Sequence, residues 1–394
     1  MRFEMTEEVE NISLTDAYIE GTTIYAAGHE WNILLEFDIE HLELKRLGWF
    51  DGFLFPFSFQ NLAIYKYQEK LFCFSKNSYE VAEFNLISRS FKYYHPKEDH
   101  CEADLLCSTC CVGDEIWMFR EAFDPMVMVF SMRNGEYFQY PIDNRNRRKE
   151  DKYMRLSFES SINMGSQIWR CVPDSSDLIV LDTKKLENRV IRTDLGIPFL
   201  TMSSNDGFLY ILSRDGRYVV MLDVDTNETV VYETGYTGTV DMPFSQGLKT
   251  ETYFFLLPCF EQTIVCYEIK GRELHFLKSF ILPEEFKKVH DAEHRTLFLG
   301  WKILDNHLFL LPFGGNGLLR IELDSLSISY YPVKISEQDY FAGIVRFCPM
   351  VREGQMDLEE YLKAIDYSSK KDSQNRTGVP IKTGKSIWEE IRNI

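Results

Sequence analysis

Phe208-Leu209-Tyr210-Ile211-Leu212-Ser213-Arg214-Asp215-Gly216-Arg217-Tyr218-Val219-Val220-Met221-Leu222-Asp223 reads as two short apolar runs around a polar turn. Val220, Leu222 and Val224 alternate with the residues between them, which puts them on one face of a strand. Arg214-Asp215-Gly216 supplies turn residues, one with free φ and one with a self-bonding side chain. The unit is a β-hairpin. A second turn, Asp223 to Asn227, leads into a third strand from Glu228 to Glu233, and the apolar stretch Phe199 to Met202 precedes the hairpin.

The same hairpin recurs along the chain. Its marks are an aromatic (or Trp) in the first run and an apolar residue at the centre of the second. The pairs are Tyr25 and Phe37, Phe72 and Phe84, Trp117 and Phe130, Trp169 and Leu181, Tyr210 and Leu222, Phe255 and Tyr267, and Phe309 and Ile321. Each pair is 12 residues apart except the third, which is 13 apart. The second runs alternate as Leu35, Phe37, Ile39; Ala82, Phe84, Leu86; Met128, Phe130, Met132; Val265, Tyr267, Ile269; and Leu319, Ile321, Leu323. The fourth copy breaks step at Thr183.

The second members of the pairs lie 41 to 54 residues apart, a period suited to a four-stranded blade. A blade has two apolar faces and cannot bury them alone, whereas radial stacking buries both and shortens exposed edges. The expected fold is therefore all-β, a seven-bladed β-propeller of four-stranded blades over residues 1–352, with a short helical C-terminal tail over 353–394. Period-two alternation excludes a helical solenoid. A β-sandwich is the alternative, and a regular repeat over most of the chain argues against it. In the tail, Asp357 and Glu360 form a capping-box pair ahead of Leu358, Tyr361, Leu362 and Ile365. Ser386 and Glu389 do the same ahead of a second short helix to Asn393.

Leu308-Phe309-Leu310-Leu311-Pro312-Phe313-Gly314-Gly315-Asn316, followed by Leu319-Arg320-Ile321-Glu322-Leu323, resembles a blade of the kelch-like bacterial β-propeller proteins. The resemblance covers roughly residues 14–335 and implies the fold. A Gly-Gly doublet stands in one blade, at Gly314-Gly315, and no Trp-Asp pair of the WD40 type occurs.

The formal net charge of −18 repels a phosphate backbone, so nucleic acid is not an expected partner. The basic run Arg145 to Lys149 reads as a solvated loop. No apolar run is long enough to span a bilayer, and the acidic N-terminus does not read as a secretory signal. Nine cysteines, an odd number thinly spread, fit a reducing cytoplasm better than a disulfide framework. The sequons at Asn11, Asn227 and Asn375 carry no meaning there.

Three motifs resemble chemical sites. His95, His100, Cys101, Cys107, Cys110 and Cys111 offer zinc-type ligands, but Cys107 and Cys110 differ by an odd spacing on a strand and face opposite ways. Small buried cysteines are the simpler reading. Gly378 and Gly384-Lys385-Ser386 miss the phosphate-loop spacing by one residue. Asp223, Asp225 and Asn227 open like a calcium loop, but Glu228 and Thr234 replace its glycine and its bidentate glutamate, so a hairpin turn is expected. No Gly-x-Ser-x-Gly elbow occurs. No metal and no cofactor are expected.

In a four-stranded blade the second-to-third and fourth-to-first connections share one face. Loops on a rigid scaffold carry binding residues. The ligand-binding candidates on that face are His29, Glu30, Trp31, Asp51, Arg120, Asp124, Asp174, Arg214, Glu261 and Asn316. Arginine and aromatic anchors beside acids suit a protein, peptide or carbohydrate ligand. The expected function is a non-catalytic, monomeric binding scaffold. The alternative is a propeller enzyme, a lyase or hydrolase working at the central channel on a peptide or carbohydrate, with catalytic residues unassigned.

Overall fold

A computed structural model describes residues 14–28, 33–41, 43–51, 61–75, 79–96, 108–120, 123–144, 161–172, 175–240, 242–259, 263–271, 273–282, 297–313 and 317–332. They form seven four-stranded antiparallel sheets, each built from four consecutive strands. Blade 1 is β1 (Leu14–Glu20), β2 (Thr23–Gly28), β3 (Ile33–Asp38) and β4 (Glu43–Trp49). Blade 2 is β5 (Asn61–Tyr67), β6 (Lys70–Ser75), β7 (Val81–Asn85) and β8 (Ser90–Tyr94). Blade 3 is β9 (Ser108–Val112), β10 (Glu115–Phe119), β11 (Met126–Ser131) and β12 (Glu136–Pro141). Blade 4 is β13 (Ser161–Met164), β14 (Gln167–Cys171), β15 (Asp177–Asp182) and β16 (Glu187–Arg192). Blade 5 is β17 (Phe199–Asn205), β18 (Phe208–Ser213), β19 (Tyr218–Asp223) and β20 (Thr229–Glu233). Blade 6 is β21 (Phe244–Lys249), β22 (Tyr253–Pro258), β23 (Thr263–Lys270) and β24 (Glu273–Ile281). Blade 7 is β25 (Leu297–Leu304), β26 (His307–Phe313), β27 (Gly317–Glu322) and β28 (Ser327–Pro332).

The repeated pairs mark the second and third strands of every blade. In six blades the residue before the first-run aromatic lies opposite the second-run residue, as in Ile24 with Phe37, Leu71 with Phe84 and Leu209 with Leu222. The same holds for Ile116 and Phe130 in blade 3 despite the longer spacing. The extra residue lies in the turn between Phe119 and Met126.

Pleating then sends the two marks of each blade to opposite sides. Phe72 packs towards blade 3 with Met118 and Phe130, while Phe84 packs towards blade 1 with Leu34 and Phe50. Further buried cores join blades 3 and 4, 4 and 5, 5 and 6, and 6 and 7. Innermost strands touch in the order β1, β5, β9, β13, β17, β21, β25 and back to β1, which closes the ring.

Two regular features set the two rims apart. The first strands of blades 1, 2, 5, 6 and 7 each carry a β-bulge near their start, between Leu14 and Ala17, Asn61 and Ala63, Phe199 and Thr201, Phe244 and Gln246, and Phe298 and Gly300. At the other end of the blades, the third-to-fourth turns are closed by their own side chains. Asp38, Asn85, Asp182 and Asp223 each accept two backbone N–H bonds from the following residues. The stretch at Asp223 is thus a hairpin turn, as its spacing predicts. The described residues contain no helix. The expected tail helices and the 352/353 boundary lie outside them.

Candidate functional site

The rims differ in the length of chain they carry. First-to-second turns are short, as at residues 21–22, 68–69 and 206–207. The opposite rim carries the fourth-to-first connections, which include residues 50–60, 95–107, 142–160 and 282–296. Connections of that length inside a compact fold are uncommon and commonly functional. The candidate ligand-binding residues are expected on this rim. Of these, Asp51, Arg120, Asp124 and Arg214 are described. His29, Glu30, Trp31, Asp174, Glu261 and Asn316 lie outside the described residues.

The structure brings Arg120 and Asp124 together in the turn of blade 3. The Arg120 backbone N–H donates to Asp124 Oδ2 at 2.8 Å, and its Nε stands 4.0 Å from Oδ1. Asp124 is buried, so its carboxylate orders the turn from within, while Arg120 is half-buried. Arg214 sits in the blade 5 turn, where its N–H donates to the Pro198 carbonyl at 2.9 Å. Asp51 is exposed just after β4.

Over the Phe119 ring lies a residue that no sequence motif singles out. Arg170, on β14, is 1% exposed and sits in the apolar core between blades 3 and 4. Its guanidinium lies over the Phe119 ring at 4.6 Å, and its Nη2 donates to Asn188 Oδ1 at 2.5 Å. Its Nε has no hydrogen-bond partner. Asn188 Nδ2 donates to Asn144 Oδ1 at 2.6 Å, and Asn144 Nδ2 donates to the Asp124 carbonyl at 3.2 Å. A polar chain therefore runs from the core arginine through blade 4's outer strand back to the Arg120 turn. Burial pulls the Arg170 guanidinium down to about 10, against the opposing pull of Asp124 and then Cys110. The signal was in the repeat. The residue after each first-run aromatic is Ala26, Cys73, Met118, Arg170, Ile211, Leu256 or Leu310, a single charge in an apolar column.

Around the channel the innermost strands are tied by polar side chains. Asp16 Oδ2 accepts the Ile64 N–H at 2.9 Å, and Lys66 pairs with Glu20. Tyr65 and Thr109 share a hydrogen bond at 2.9 Å, as do Ser108 and Ser161 at 2.6 Å. Lys249 donates its backbone N–H to Ser203 Oγ at 3.0 Å and its Nζ to the Thr250 and Glu251 carbonyls. Burial lowers the Lys249 pKa and raises that of Tyr65.

Cys73, Cys110, Cys171, Cys259 and Cys266 are buried free thiols; within the cysteine-histidine cluster read from the sequence, Cys110 is buried and Cys111 half-buried. Burial pushes Cys110 and Cys266 up to about 12, far from a reactive thiolate. Among the described residues no group of three or more His, Cys, Asp or Glu could hold a metal ion. His100, Cys101 and Cys107 are outside the described residues. His95 instead bonds Glu80, Nδ1 to Oε1 at 2.8 Å. No helix among the described residues is long and apolar enough to cross a membrane.

No family model and no curated protein matches the sequence. Solved structures match by shape. A streptogramin B lyase matches with a TM-score of 0.55 at 10% identity, over 82% of this chain and 94% of that one. A catalytically inactive virginiamycin B lyase from Staphylococcus aureus with quinupristin matches with a TM-score of 0.56 at 7% identity, over 78% and 96%. A chain of the mitotic checkpoint complex matches with a TM-score of 0.52 at 9% identity, over 85% and 94%. Enzymes and assembly components thus share this ring, and at such identities the likeness establishes the seven-bladed propeller fold.

Proposed function

We propose that this protein is a non-catalytic, monomeric binding scaffold whose ligand, a protein, peptide or carbohydrate, docks on the rim bearing the long connections. The observation that supports it is the inequality of the two rims. One has short turns whose side chains are consumed by their own backbone, at Asp38, Asn85, Asp182 and Asp223. The other has long connections over a rigid ring, with Arg120 held in place by a buried network. Pre-ordered side chains lose less entropy on binding. Kinship with kelch-like bacterial propellers, which rests on Leu308 to Leu323, belongs to the same proposal.

The test compares two alanine sets in affinity capture from the native cell. One set is His29, Arg120, Arg214 and Asn316, and the other is Lys45, Arg89, Arg133 and Lys185 on the opposite rim. Loss of captured ligand with the first set alone is expected. Loss with the second set alone, or with neither, overturns the choice of rim. A lyase or hydrolase at the channel is the competing reading, and the lyase-like fold carries no argument for it by itself.

A further inference from the structure

On the long-connection rim, blades 3, 4 and 5 are each closed by one tie beyond the last paired residues of their third and fourth strands. In blade 4, beyond Asp177 and Arg192, the Thr193 hydroxyl donates to the Ser176 carbonyl at 2.7 Å. In blade 5, beyond Tyr218 and Glu233, the Thr234 N–H donates to the Arg217 carbonyl at 2.9 Å and its hydroxyl to the Gly216 carbonyl at 2.7 Å. In blade 3, beyond Met126 and Pro141, the Ile142 N–H donates to the Pro125 carbonyl at 2.8 Å. All of these ties are neutral.

Blade 2 departs from them. Beyond Val81 and Tyr94 stand Glu80 and His95, with His95 Nδ1 2.8 Å from Glu80 Oε1. Glu80 is 1% exposed, whereas the His95 side chain is 34% exposed. Blade 3 fixes both backbones, because the Tyr137 hydroxyl shares its hydrogen between the Tyr79 carbonyl at 2.7 Å and the Tyr94 carbonyl at 3.0 Å. Those carbonyls come one residue before Glu80 and His95.

Taking a carboxylate out of water is costly, and closing a blade does not require it, since Thr193 and Thr234 do so with hydroxyls. What the carboxylate adds is control of the imidazole. A carboxylate only accepts, so Nδ1 carries the hydrogen and the neutral ring presents its lone pair at Nε2. His41 and Asp38 make a similar pair on the opposite rim, also at 2.8 Å. There the two are three residues apart in an exposed turn, and the carboxylate also serves that turn's backbone.

We propose that His95 is a ligand contact of the long-connection rim, with Glu80 as the positioning residue behind it. His95 Nε2 accepts a hydrogen bond from an O–H or N–H of the ligand. The proposal rests on that rim being the binding face.

Diethyl pyrocarbonate acylates the lone-pair nitrogen of a neutral imidazole and tests this on the full chain at about pH 7.5, with labelled histidines located by mass spectrometry. His95 should be labelled in the protein alone and lose its label when the fraction captured from the native cell is added, while His41 keeps its own. Protection abolished by prior protease digestion of that fraction assigns the donor to a polypeptide, and protection abolished by periodate assigns it to a sugar hydroxyl. His95→Asn keeps an N–H for Glu80 but has no atom at the Nε2 position, so it should fold and lose capture roughly tenfold, the size of one hydrogen bond. Glu80→Gln keeps an acceptor without the charge and should lose less. A His95 that is never labelled, or is labelled equally with and without the fraction, overturns the proposal, as does full capture by His95→Asn. If the alanine set at His29, Arg120, Arg214 and Asn316 still loses capture in those cases, the choice of rim stands and the His95 contact alone falls. If His95→Asn does not fold, the labelling of the native protein decides by itself.

Discussion

Replacing Arg170 by methionine separates what the buried guanidinium does for stability from what it does for the Arg120 turn. In the fold the group titrates at about 10, below its ordinary 12.5. That gap corresponds to roughly 3 kcal/mol of destabilisation of the charged form at neutral pH. Methionine removes this penalty and fills similar volume among Phe119, Ile168, Ile179 and Leu181. Against it stands the loss of the bond to Asn188 Oδ1, which is left buried and costs roughly 1–3 kcal/mol. Asp124 keeps Arg120 as its partner. Arg170→Met should therefore be neutral to about 2 kcal/mol more stable than the native protein, in line with buried charges replaced by apolar residues. Arg170→Ala leaves a cavity as well and should lose about 2–4 kcal/mol relative to Met.

Urea unfolding at pH 6 to 11 measures both the size and the sign. A base whose folded pKa is depressed carries its penalty at every pH below that pKa, and the penalty relaxes as pH rises from the folded towards the unfolded value. The difference between the Met variant and the native protein should be flat from pH 6 to 9 and narrow above about 10. A Met variant destabilised by more than about 2 kcal/mol would show that the guanidinium's contacts outweigh its desolvation, and the reasoning fails. If the network exists to order the binding turn, the same variant should also lose captured ligand while remaining folded.

Gly216 holds φ +71°, and a Cβ there would come within 2.6 Å of Pro243 and 2.8 Å of Phe244. Gly216→Ala should lower stability by roughly 2–4 kcal/mol in thermal melts, and an unchanged Tm would contradict the close approach between blades 5 and 6. Asp38 is held below its usual range by its side-chain bond from His41, Asp223 by the backbone N–H of Thr226, and Asp182 by bonds from Lys185 and Lys184 that overcome its burial. A lowered carboxylate contributes stability that is present above its unfolded pKa of 3.8 and lost as pH falls through the folded value. The triple change of Asp38, Asp182 and Asp223 to Asn keeps the turn acceptors, as Asn85 does in blade 2, and should flatten the acid limb below pH 4 by circular dichroism.

The blades were legible because a propeller repeats one local problem. Each hairpin must offer an apolar residue to both neighbours, so Tyr25 with Phe37 or Trp169 with Leu181 keep their spacing whatever the rest of the blade does. The turn at Asp223 was legible for the same reason. Asp16 was not, because the bulge between Leu14 and Ala17 breaks the alternation from which its facing would be read. Arg170 was present as a departure from its column, yet a lone charge inside a strand fits no catalytic or metal-ligand pattern. The ligand-binding candidates His29, Trp31 and Asn316 fall between the repeated runs, where no periodicity governs the sequence.

A repeat supplies its own control, and that bears on the junction of blades 3 and 4. Residues at one position of the blade hold the same place in the backbone in every copy, so the strand geometry alone does not ask for an arginine after Trp169. The position opposite each second-run residue in the fourth strand is Leu44, Phe91, Tyr137, Asn188, Thr229, Phe276 or Ile328. Asn188 departs from that mostly apolar column in the same blade as Arg170, and the two side chains bond each other. Either change alone buries an unsatisfied group. Together they are partly satisfied, and they reach blade 3 through Asn144 and the Asp124 turn. At this junction the buried pair is joined through Asn144 to the carbonyl of Asp124, the residue whose side chain bonds the Arg120 N–H.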